Sequence, residues 1–131
     1  MQLYQDEFSV ITYDAGSGIL ILTWTAKTAN MTDDDFKTVN LAYADQSIEQ
    51  QARKLLVDVR RFGHHFGEGL GQWRLQQIIP KYHQAGVEKF AFLHGPDFEA
   101  PPNGRKEEGE NFISRHFASE ERARAWLVDG S

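Results

Sequence analysis

At 131 residues, with 40% hydrophobic and 25% charged content, the chain has the length and composition of one globular domain. Its formal net charge of -5 argues against a nucleic-acid backbone or an anionic membrane as partner, because both reward clusters of Lys and Arg. The absence of Cys excludes disulfides, thiolate catalysis and Cys-ligated zinc.

The opening residues, Met1 to Glu7, carry neither a basic region nor an apolar core, so no secretory signal is expected. Glu7 to Tyr13 are β-prone, Gly16-Ser-Gly18 makes a turn, and Ile19 to Thr25 is apolar on both faces. This pair reads as a hairpin whose second strand is interior to a sheet. Ile19 to Leu22 is also the longest aliphatic run, far too short to cross a bilayer, so a cytoplasmic protein without a membrane span is expected. Thr32 opens a helix as its cap, with Asp33, Asp34 and Asp35 complementing the positive end of the dipole. Phe36, Val39 and Tyr43 recur at helical spacing toward the sheet, with Ile48 a turn further on.

The organising stretch runs from Lys54 to His94, a βαβ unit. Leu55, Val57 and Val59 point to one face of its first strand, Leu56 and Asp58 to the other. A helix is expected from about Glu68 to Gln84, with Leu75, Ile78, Ile79 and Tyr82 as its apolar stripe and Leu70 and Trp73 earlier. Pro80 should kink or end it, and Gly86 should supply a left-handed stop. Val87 to His94 closes the unit. The stretch from Gly95 to Gly109, with three prolines and the charged run Arg105 to Glu108, is expected to be a loop. Asn111 to Phe117 recovers β character, and Ser119 caps a last helix bearing Ala123, Trp126 and Leu127 on one face. Trp24, Trp73 and Trp126 sit in apolar patterns and are expected in the core.

The order ββαβαββα therefore predicts one α/β domain over 1–131: a mostly parallel sheet of about five strands, an N-terminal β-hairpin, and helices on its faces. Three stretches carry a family resemblance. They are Phe117-Ala-Ser-Glu-Glu-Arg-Ala-Arg-Ala-Trp-Leu127, Leu56-Val-Asp58-Val-Arg60, and Trp73 through Pro80 to Phe92. Together they resemble small stand-alone bacterial STAS-like domains of the anti-sigma-factor-antagonist (SpoIIAA-like) superfamily. The resemblance implies that fold, which is similar to part of the lipid-carrying CRAL-TRIO proteins, and leaves the activity unassigned. Phospho-regulated members carry a Ser or Thr in the turn after the third strand, whereas Asp58 to Trp73 here contains neither. The Pro-rich loop also stands where such domains commonly have a helix.

In an open parallel sheet, ligands favour the crevice beyond the carboxyl ends of the strands. The candidate ligand-binding residues there are Arg60, Arg61, Phe62, His64, His65 and Phe66 after the third strand, and His94 after the fourth. Asp58, Asp97 and Phe98 flank them. Aromatics beside cationic groups suit a small amphipathic or anionic molecule, with Arg60 or Arg61 holding the anion. The plainer reading is a solvated loop with its Phe side chains packed beneath. His64, His65, Glu68 and His94 do not have an established metal spacing, and Gly67-x-Gly69-x-Gly71 lacks the Lys-Ser/Thr of a phosphate loop. No Gly-x-Ser-x-Gly elbow exists. No metal, cofactor or catalytic residue is assigned. The expected function is a non-catalytic binding or regulatory module for a small amphipathic ligand or a protein partner. The alternative is a hydrolase or metal-dependent enzyme using the His-rich crevice. A homodimer is a further expectation, since so many aromatics in a small domain can leave an apolar patch exposed.

Overall fold

The protein, seen here as a computed structural model, is described over residues 1–107 and 109–129. A six-stranded mixed sheet runs in chain order: β1 (Gln2–Gln5), β2 (Ser9–Asp14), β3 (Ile19–Trp24), β4 (Lys54–Asp58), β5 (Lys89–Leu93) and β6 (Ile113–Phe117). The first three strands are antiparallel and the last four parallel, with β3 belonging to both sets. Helices α1 (Asp33–Gln50), α2 (Leu70–Gln77) and α3 (Ile79–Ala85) belong to one face, and α4 (Glu120–Asp129) to the other.

The hairpin and the interior β3 are as expected, but there is one strand more than the five read from sequence. Strand β1 is too short and polar to announce itself; Leu3 and Tyr4 are its only large apolar side chains. The Asp6 carboxylate makes the turn behind it. It accepts from the Phe8 N–H at 2.9 Å, the Ser9 hydroxyl at 3.0 Å and the Tyr4 hydroxyl at 2.9 Å.

Helix α1 begins as its sequence demands. The Thr32 hydroxyl accepts from the Asp35 N–H at 3.1 Å, and the Asp35 carboxylate accepts from the Thr32 N–H at 2.9 Å. Val39, Tyr43 and Ala44 are buried against the sheet, where the Tyr43 hydroxyl donates to the Leu20 carbonyl at 2.7 Å.

The helix expected from Glu68 to Gln84 is two helices. Pro80 has no N–H to continue the ladder, so α2 ends at Gln77 and α3 restarts with Pro80 in its first turn. The restart turns Leu75 away from the core: it is 37% exposed, while Leu70, Ile78, Ile79 and Tyr82 are buried. Gly86 ends α3 at φ +84° as expected, its N–H donating to the Tyr82 and His83 carbonyls.

Strand β4 divides the core. Leu55 and Val57 join the larger cluster with α1 and α3, and Leu56 joins the smaller one with Ala91, Leu93, Trp126 and Leu127 under α4. Trp24 and Trp126 are buried, whereas Trp73 is only partly so. The Ser119 hydroxyl accepts from the Arg122 N–H at 3.3 Å, as the cap expected of it. The described residues between Gly95 and Gly109 are loop, except that Arg105 pairs with Ser114 through two 2.8 Å backbone bonds on the outer edge of β6. Glu108, within the charged run read as loop, lies outside the described residues.

Candidate functional site

An apolar cleft of about 340 Å³ opens at the carboxyl ends of β3, β4 and β5, on the face that carries α1. It follows from the break at Ile78. Helix α3 packs on α1, while α2 touches chiefly α3 and leaves the end of the sheet beneath it uncovered. Leu22, Trp24, Val57, Val59, Phe90 and Phe92 form the sheet side of the cleft. Phe36 and Asn40 come from α1, Arg74 from α2 and Tyr82 from α3, and Phe62, Phe66 and His94 from the loops after the strands.

The aromatic lining is self-supporting. Phe36 stacks on Trp24 with centroids 5.6 Å apart, Phe62 meets Trp24 edge-on at 5.1 Å, and Phe66 meets Phe36 at 4.9 Å. Phe62 and Phe66 thus do pack under their own turn, yet Phe66 keeps 59% of its surface exposed.

The residues singled out in the sequence separate into three groups. Phe62, Phe66 and His94 line the cleft. Arg60 and Arg61 do not; they border a different groove with Asp58, Thr23 and Gly95. Arg60 is committed to the strand end: its Nε and Nη2 donate to the two Asp58 carboxylate oxygens at 3.0 and 2.7 Å, and Nη2 reaches Glu120 at 3.5 Å. The fork from Asp58 holds the guanidinium pKa above its usual value. The expectation that Arg60 would share one crevice with Phe62 and Phe66 is therefore corrected. Alternation along the strand sends Asp58 to the face opposite Val57, and Arg60 follows Asp58.

His64 and His65 also part company. The His64 ring, 8% exposed, bonds through Nε2 to Asp33 Oδ1 at 2.7 Å. This hydrogen bond is the chief reason the Asp33 carboxyl lies below the ordinary carboxylate range. The same carboxylate accepts from the Gly67 N–H at 3.2 Å, and a Cβ at Gly67 would collide with it. His64 therefore ties the turn to the start of α1 and does not face the cleft. His65 is exposed. Gly69, at φ +85°, lets the chain enter α2, in keeping with a turning role for these glycines.

Two polar groups of the cleft went unread in the sequence. Asn40 lies four residues after Phe36 on α1, and Arg74 lies four after Leu70 and four before Ile78. Each is a polar residue interrupting an apolar stripe, and that interruption was the available signal. The Asn40 Nδ2 donates to the Phe36 carbonyl at 2.9 Å. The Arg74 guanidinium lies 5.8 Å over the Phe90 ring and makes a long 3.5 Å contact with the buried Glu110 carboxylate.

His94 brings in a partner that the sequence did not identify. Its Nε2 is 2.8 Å from His116 Nδ1, so one ring donates and the other accepts. Phe98 stacks on His94 at 3.7 Å and 6°, and Phe92 stacks on His116 at 4.8 Å and 13°. Burial pushes both imidazole pKa values below the ordinary histidine value, and their mutual proximity adds to the effect on His94. Among the described residues no three His, Asp or Glu side chains group as a metal-ligand set, and no helix is long and apolar enough to cross a membrane. Compared with known proteins, the chain matches no family model, no curated protein and no solved structure.

Proposed function

We propose that this chain is a non-catalytic binding module that takes the apolar part of a small amphipathic molecule into the cleft beneath α2. The single observation that carries the reading is the cleft itself: about 340 Å³, walled by aliphatic and aromatic side chains, with a few polar groups at its border. Arg74 replaces Arg60 as the cation at this cleft, since Arg60 is spent on Asp58 and Arg74 is held only by a long contact. A carboxylate or similar anionic head beside Arg74 would fit that arrangement. We place the chain in the cytoplasm and among the SpoIIAA-like domains. That membership rests on the three stretches of sequence that carry the resemblance.

A fluorescent medium-chain fatty acid, titrated into protein stripped of bound lipid, tests the cleft. Saturable binding is expected, weakened by Phe66→Ala and by Arg74→Gln and unaffected by Arg60→Gln. A buried charge-assisted contact contributes about 1.5–3 kcal/mol, so loss of Arg74 should cost roughly ten- to hundredfold in affinity. No saturable binding, or variants that bind as the parent does, would refute the reading.

A second reading rests on Phe66, whose 59% exposure offers an aromatic anchor to a protein partner or a second copy of the chain. Sedimentation of the parent and of Phe66→Ser distinguishes it: concentration-dependent association lost in the variant would favour a homodimer. The histidines that the enzyme alternative would use are separated, His64 bonding Asp33 on α1 and His94 bonding His116 on β6.

A further inference from the structure

We propose that the groove between the Pro-rich loop and the β6–α4 junction binds a phosphate monoester carrying an apolar or ring-shaped substituent. The groove, of about 470 Å³, is separate from the apolar cleft and does not depend on the function proposed for it. One side presents Arg115, His116, Ser119 and Arg122; the other presents Phe98, Ala100, Pro101 and Pro102. Among the described residues no carboxylate lines it.

Arg115 carries the argument. Its Nε is the one buried side-chain nitrogen or oxygen among the described residues that has no hydrogen-bond partner. Burial on that scale puts Nε out of reach of a ligand in the groove, so the donors on offer are the guanidinium's Nη groups, which pair with no other described side chain. Its guanidinium lies 4.9 Å from the Phe117 ring, which holds the fork in place without neutralising it. Arg53, Arg60, Arg105 and Arg124 each pair with a carboxylate, and Arg74 makes a long contact with Glu110. Among the described residues Arg61, Arg115 and Arg122 do neither, and of these Arg115 and Arg122 share this groove, in a chain with 19 acidic and 14 basic side chains. Glu107, whose charge reaches His116, is itself engaged by Arg105 at 3.0 Å.

Two guanidinium forks offer more donors than a carboxylate's two oxygens can use, whereas a phosphate monoester has three terminal oxygens and nearly two charges. The Ser119 hydroxyl oxygen accepts from Arg122 N–H, which leaves its own proton to donate. The apolar wall opposite, of Phe98, Ala100, Pro101 and Pro102, gives the ester substituent a surface.

The test is titration of the full chain with phenyl phosphate, inorganic phosphate and benzoate at constant ionic strength, followed by calorimetry and amide chemical shifts. Phenyl phosphate should saturate one site, with shifts centred on Arg115 to Arg122, and bind more tightly than inorganic phosphate. Benzoate should bind at least about tenfold more weakly than phenyl phosphate, since it lacks the third oxygen and second charge. Arg115→Gln and Arg122→Gln should each weaken phenyl phosphate about tenfold or more, and Arg61→Gln, in another groove, should not. Arg122 is exposed, so its variant keeps the fold even where Arg115→Gln does not. Absence of saturable binding would overturn the proposal. So would parent-like affinity in Arg122→Gln, equal affinity for benzoate, or no preference for the ester over free phosphate.

Discussion

Replacing Val57 by Ile adds one methylene to the floor of the cleft and asks whether the space there is real. Val57 is 5% exposed, sits in register with Leu22 on β3 and Phe92 on β5, and all three line the cleft. Ile keeps the β-branch, so the strand preference of the position is unchanged. A methylene entering open apolar space contributes about 0.8 kcal/mol, which for a chain of this size raises Tm by roughly 3 °C. A methylene forced into a close-packed floor would instead cost about 1–3 kcal/mol. The two cases differ in sign, which makes the experiment decisive. Thermal and urea melts of lipid-stripped protein supply the measurement, and the fatty-acid titration of the same variant should show weaker binding. A lower Tm together with unchanged fatty-acid affinity would mean that the floor is already packed, and the cleft reasoning would fail.

Two glycines should respond in opposite directions to the same substitution. Gly86→Ala forces an Ala to φ +84° and should destabilise by about 1 kcal/mol, whereas Gly71→Ala, inside α2 with open space at its Cβ, should stabilise by about 0.8 kcal/mol; equal shifts in urea midpoint would contradict both assignments. The His94–His116 pair should make stability depend on pH. Both rings have folded pKa values below the ordinary one, so the unfolded chain takes up their protons more readily. Their contribution is complete above the ordinary histidine pKa of about 6.5 and is lost as pH falls through the lowered folded values. His116→Gln removes one titrating ring and should flatten the fall in urea midpoint between about pH 7 and 5; an unchanged slope would place that dependence elsewhere.

How much was legible in advance depended on how far each decision reaches along the chain. The Thr32 cap, the alternation of Leu55, Leu56 and Val57, the Gly86 stop and the Ser119 cap are each settled by a few neighbouring residues. Local rules of capping, pleat and left-handed φ were therefore enough to read the α/β order and the parallel centre of the sheet. Strand β1 escaped because its evidence is a partner strand rather than its own composition.

The site lay beyond such rules. Arg60, His64 and Phe66 are near neighbours in sequence and point to three separate duties: Asp58, Asp33 and the cleft. His64 meets a residue 31 positions away, and His94 one 22 positions away. What the amino-acid sequence by itself determined was the strands and helices other than β1 and the division between α2 and α3, and which strand ends face a crevice. Only the tertiary structure decided which cation stands at the cleft, which histidines are structural, and that the Pro80 break leaves room beneath α2. The physical reason is that a side chain's partner is chosen by packing between elements, and local periodicity records the face a residue occupies but not what it meets there.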